Sequence, residues 1–158
     1  MLNVLQFDEF IVAPALNVMQ MYSDSAVELL KFTCATESRG GSFVAQVKGP
    51  ALGIFQMEPT TYTDLWHNAI FSNSKNMNLL AMHFRNPNLH DFERMVYDLR
   101  YAVVMARLQY ARFHEVLPDA KDVDGLWEYY KKYWNTEKGK ATKDKSIKAY
   151  QDFKKNTK

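Results

Sequence analysis

Between Leu89 and His114 apolar residues recur at steps of three and four: Phe92, Met95, Val96, Leu99, Ala102, Val103 and Ala106. That spacing gathers them on one face of a helix. The middle of the run, YAVVMARLQYA, is apolar on more than one side, and a helix of that kind is central and buried. A chain of 158 residues fits one domain around it better than two. Hydrophobic residues make up 47% and charged residues 24%, which is enough apolar material to bury a real core.

Other helix signals surround this element. Ser23, Asp24 and Ser25 offer N-caps, and Glu28 stands three residues after Ser25 as a capping box. The helix they start should run to about Glu37, where Arg39, Gly40 and Gly41 stop it. An earlier helix is expected from Phe7 to Met21, entered or kinked near Pro14, and further ones over residues 59–70 and 123–134. Residues 72–78 read as a loop, and 146–153 as a last short helix. From Ser42 to Met57 the pattern changes: Phe43, Val44 and Val47 alternate loosely with polar residues and Gly49-Pro50 marks a turn. The expected fold is therefore mainly α with a small β-hairpin-like excursion, an α+β arrangement.

The single cysteine, Cys34, rules out an internal disulfide and reads as a small buried hydrophobe. A free thiol suits synthesis in a reducing cytoplasm. The start, MLNVLQFDEF, lacks a basic n-region, so no signal peptide is expected, and no apolar run is long enough to span a bilayer. Net charge is only +2, but from Lys131 onward there are ten lysines against three acids. That end carries about +7 and the rest about −5. A catalytic domain over residues 1–140 with a basic tail over 141–158 is the expected organisation, the tail suited to an anionic polymer or simply solvated.

The chemically informative stretch is TESRGGSFVAQVKGPALGIFQMEPTT, residues 36–61. Glu37 closes a helix whose preceding turns are apolar. The negative end of the helix dipole and the apolar surroundings both disfavour its charged form. Both raise its pKa, as a general acid near neutral pH requires. The four histidines, at 67, 83, 90 and 114, show no zinc-like spacing, and no glycine-rich phosphate loop is present, so neither a metal nor a cofactor is expected.

Glu37-Ser38, followed by Gly53-Ile54-Phe55-Gln56 and then Pro59-Thr60, resembles the two ordered motifs of the lysozyme-like superfamily. The nearest resemblance is to soluble lytic transglycosylases and the lysozyme-like enzymes of bacteriophages. It implies Glu37 as the acid/base and Ser38 as a residue orienting the acid or substrate. Gly53, Phe55 and Gln56 would line the glycan cleft, with Phe55 where the family has Met and the β-hairpin-like excursion beside the cleft. A third family motif, Tyr-Asn, is matched imperfectly by Tyr133-Trp134-Asn135, which makes Tyr133 and Asn135 candidates for substrate contact.

The resemblance implies cleavage of the β-1,4 bond between N-acetylmuramic acid and N-acetylglucosamine in peptidoglycan. No Asp or Glu lies between Glu37 and Glu58, so a one-carboxylate reaction is expected unless Glu58 or Asp64 supplies a second acid. Attack by water would make a muramidase; attack by the sugar's own 6-hydroxyl would make a lytic transglycosylase. The partners are glycan strands and, for a bacteriophage protein, other virion components; no nucleic acid is required. Such a protein is made in the host cytoplasm and reaches the periplasmic wall by lysis or virion delivery. The competing reading is a non-catalytic virion or wall-binding module that keeps the fold.

Overall fold

The computed structural model describes residues 1–85, 88–137 and 139–158. The first helical segment, α1, runs through Val4–Gln6, widens into a π-helical stretch at Phe7–Val12 and returns to α-helix in Ala13–Val18. α2 spans Asp24–Ser38. α3 spans Pro59–Leu65 and continues as π-helix over Trp66–Ile70. α4 is Ser74–His83, α5 is Arg94–Tyr97 and α6 is Leu99–Tyr110. α7 spans Val123–Tyr130, followed by a π-helical stretch at Lys131–Asn135, and α8 spans Lys143–Lys155.

α2 and α6 form the centre. α2 buries residues on every side, from Ala26 and Leu30 through Phe32 to Ser38, and packs against α6, α7 and α8. Its N-cap is Ser23, whose hydroxyl accepts from the Ala26 N–H at 3.0 Å. Glu28 is drawn away from the expected capping box. It meets the Lys31 ammonium at 2.6 Å and accepts from the Tyr150 hydroxyl, while Lys31 also reaches Asp8 at 2.8 Å.

The long periodic run folds as two helices. Asp98 leaves helical geometry, and its carboxylate accepts from the Tyr101 N–H at 3.0 Å, starting α6 afresh. Arg94 locks the break by binding Asp98 and the Phe84 carbonyl. Residues 74–78, expected as part of a loop, belong to α4, which runs on to His83 and is capped by the Asn73 side chain on Asn76 N–H.

The β-hairpin-like excursion is not present: among the described residues there is no strand or sheet, only the isolated bridges Ala45–Leu52 and Leu52–Met57. Backbone φ is positive at Arg39, Gly40, Gly41, Lys48, Gly53 and Gln56, so the chain turns again before a ladder can form. The loose alternation also has no buried partner face, because Phe43, Val44 and Val47 are all exposed. The fold is mainly α, and residues 39–57 are a turn-rich connection.

The basic C-terminal residues are part of this core. α8 lies against α2, with Ser146, Tyr150 and Phe153 buried. Phe153 meets Phe7 at a ring separation of 5.7 Å, and Tyr150 meets Phe32 at 5.3 Å. No helix among the described residues is long and apolar enough to cross a membrane.

Candidate active site

Glu37 sits in the last turn of α2, where Arg39 takes the left-handed conformation that ends the helix. The preceding residues Thr33, Cys34 and Ala35 are fully packed. Thr33 shares a 2.8 Å hydrogen bond with the buried Tyr110 hydroxyl, which fixes this turn against α6. Glu37 therefore cannot swing freely into solvent. Its carboxylate faces α7, where Tyr130 is fully buried and its hydroxyl donates to Glu37 Oε1 at 2.6 Å.

These two groups set each other's protonation. Burial pushes the Glu37 carboxyl from 4.5 up to about 7, and the Tyr130 hydrogen bond pulls partly the other way. Burial, together with the adjacent carboxylate, raises the Tyr130 phenol well above its usual range, so it remains a donor. The pair opens onto a cavity of about 290 Å³ lined also by Thr36, Asn135, Lys140–Thr142 and Lys145. Among the described residues Glu37 is the one acid in that lining.

The remaining candidates from the sequence divide into three groups. Asn135 joins Glu37 in its cavity. Ser38 does not: it is buried, donates to the Cys34 carbonyl at 3.1 Å and accepts from the Gly41 N–H at 2.9 Å, so it closes the helix end. Gly53 and Phe55 are buried too. Gly53 packs on the Met95 carbonyl, and Phe55 meets Trp134 edge-on at 6.4 Å.

Gln56 and Tyr133 come together, but in a second cavity of about 350 Å³ that also includes Glu58, Trp134 and Thr136. Gln56 donates to the Gly53 carbonyl at 2.8 Å, and Tyr133 stacks on Phe113 at 4.2 Å. The Trp134–Thr136 segment contributes to both cavities, Asn135 to one and its two neighbours to the other.

Tyr130 is the side chain that meets Glu37, and the sequence did not single it out. The Tyr-Asn match pointed to Tyr133, but Tyr133 bonds to Glu115 instead. Tyr133 lies inside the π-helical stretch at Lys131–Asn135, beyond the end of α7 that carries Tyr130. The signal available was the position of Tyr130 four residues after Leu126, on the buried face of α7.

Other chemistry is poorly supported. Glu58 is exposed and lies in the Gln56 cavity, and Arg112, 2.6 Å away, holds the Asp64 carboxyl below its usual range. Burial pushes the Cys34 thiol up to about 12, which makes it a poor nucleophile. Among the described residues no three His, Cys, Asp or Glu side chains cluster to hold a metal ion. Comparison of the chain with protein-family models, curated proteins and solved structures returns no match.

Proposed function

We propose that this protein cleaves the β-1,4 bond between N-acetylmuramic acid and N-acetylglucosamine in peptidoglycan, with Glu37 as general acid. The carrying observation is a carboxyl held near pKa 7 by burial, bonded by Tyr130, in a cavity where no second acid lines the wall among the described residues. A protonated Glu37 gives its proton to the glycosidic oxygen as the C–O bond breaks. The substrate's N-acetyl carbonyl can stabilise the cationic carbon. Glu37, now a carboxylate, then accepts a proton from the attacking hydroxyl. A 6-hydroxyl already tethered to the same sugar has a large effective concentration over water, which favours a 1,6-anhydro product of lytic-transglycosylase type. Water in its place gives the muramidase product. A bacteriophage protein released at lysis or carried in the virion would meet this substrate at the periplasmic wall.

One observation favours a non-catalytic virion or wall-binding module instead. Gln56, which the family resemblance places in the cleft, lines a different cavity from Glu37. Digestion of purified cell wall followed by mass spectrometry separates the readings. Cleavage predicts released muropeptides, one water lighter for the transglycosylase than for the muramidase, and none from a folded Glu37→Gln variant. Wall binding without release by the wild type would support the module. Release by Glu37→Gln at wild-type rate would remove Glu37 from the chemistry.

A further inference from the structure

Two lysines line the Glu37 cavity, Lys140 and Lys145, and neither pairs with an acid among the described residues. Their neighbours differ. Lys132, Lys143, Lys148 and Lys154 each meet a carboxylate. Lys140 owes its place to a clamp. The Lys131 ammonium donates to Asn135 Oδ1 at 2.7 Å and to the carbonyls of Gly139 at 2.9 Å and Ala141 at 3.4 Å. That fixes the backbone on both sides of Lys140. Lys145 stands in the first turn of α8, beside Ser146, which that helix buries.

Two threonines of the lining, Thr36 and Thr142, also lack internal partners among the described residues. The Thr36 hydroxyl is buried and makes no hydrogen bond. Thr142, the N-cap of α8, makes no side-chain cap bond, so the first-turn N–H groups of that helix are left without that acceptor. With Glu37 protonated the cavity holds two ammonium groups and no carboxylate among the described residues, an arrangement that attracts an anion.

We propose that Lys140 and Lys145 form a carboxylate-recognising subsite beside Glu37, so that the substrate is a glycan bearing acidic substituents next to the scissile bond. The assignment rests on the reading of Glu37 as the acid that acts on that glycan. In a wall glycan the carboxylates belong to the lactyl-linked peptide stem. A lysine ammonium reads such a group as a point charge with rotatable donors, which suits a substituent on a flexible stem. Both lysines are exposed, so the contacts are screened by salt.

The test is calorimetric binding with the Glu37→Gln protein, which should hold substrate without turning it over. The probes are a muramyl disaccharide-tetrapeptide, the same fragment with its peptide carboxylates amidated, and neutral chitotetraose. Adding Lys140→Ala and Lys145→Ala together is expected to weaken the acidic fragment about ten-fold at low salt, as two exposed charge contacts allow. Binding of the other two probes should hold, and Lys140→Arg with Lys145→Arg should restore the loss. Equal weakening of all three probes, or no weakening of the acidic one, overturns the subsite. The catalytic reading is tested separately by wall digestion. A protein that discriminates the acidic fragment through these lysines yet releases no muropeptides keeps the subsite and loses the enzyme.

Discussion

The Tyr130 hydroxyl donates to Glu37 Oε1 at 2.6 Å, joining residues 93 positions apart in the chain. The bond stabilises the carboxylate against the burial that disfavours it. Tyr130→Phe removes that donor and keeps the ring against Phe32 and Trp127. The Glu37 pKa should therefore rise further. The alkaline limb of the pH–rate profile should move to higher pH, and wall cleavage should slow because the acid is less well aimed. Loss of one such bond costs about 0.5–1.5 kcal/mol of stability. An unmoved alkaline limb in the Phe variant would separate Tyr130 from the acid's titration.

Glu37 also makes stability depend on pH, and the sign is fixed by the direction of its shift. Its folded pKa is about 7 against an ordinary 4.5, so between those values the unfolded chain releases a proton that the folded chain keeps. Stability therefore falls as pH rises through this window and levels off above about 7. The full effect is on the order of 3 kcal/mol. Glu37→Gln, which never ionises, should be more stable than wild type at pH 8 and close to it at pH 4. Denaturant titrations of both proteins at the two pH values check this; equal differences at both would mean that the Glu37 carboxyl is not held protonated by burial.

The position of Glu37 at a helix end was legible in the sequence, and the departures elsewhere have physical causes. The end of α2 was readable because an apolar helix followed by Arg39-Gly40-Gly41 has few other ways to stop, and that placed Glu37. The single long helix was misread because Asp98 can both leave and cap a helix, which apolar periodicity does not register. The hairpin over residues 42–57 failed on positive φ at Lys48 and Gln56, two residue types that give no warning of it. Tyr130 was missed because the Tyr-Asn match drew the reading to Tyr133, three residues further on, which bonds to Glu115.

Gly53 tests whether a motif position serves substrate or fold. It has φ +78°, and a Cβ there would stand 2.7 Å from the Met95 carbonyl oxygen. That neighbour is backbone and cannot step aside cheaply. Gly53→Ala should destabilise by roughly 1–3 kcal/mol, the usual cost of a non-glycine residue forced into such a conformation. The activity that remains should keep an unchanged KM once measured well below the melting temperature. A raised KM at unchanged stability would return Gly53 to the substrate cleft.

Glu58 is the acid closest in sequence to the motif, and it is exposed in the Gln56 cavity instead of the Glu37 one. A carboxylate there has no shared lining with the acid through which to deliver a nucleophile. Glu58→Gln should retain most wall-cleaving activity, within about three-fold, since one charge at an exposed position acts only through a screened field. A loss as complete as that of Glu37→Gln would make the reaction a two-carboxylate one and predict a reducing-end product.

Phe153 decides whether the basic C-terminus is an appendage or a wall of the site. Its ring is fully buried, 5.7 Å from Phe7, and lies so close to Gly40 that a Cβ there would come within 2.6 Å of it. The same helix supplies Lys145, Ser146 and Ala149 to the Glu37 cavity. Phe153→Ala should cost roughly 3–5 kcal/mol, the sum of lost burial and the void left behind. For a domain of this size that lowers the melting temperature by about 10 °C or more. Lys155→Ala, exposed two residues further on the same helix, should stay within about 0.5 kcal/mol of wild type. If both variants melt together with wild type, α8 is not held by its apolar face. If only Phe153→Ala falls, the lysines of this helix owe their position beside Glu37 to the aromatic residues beneath them.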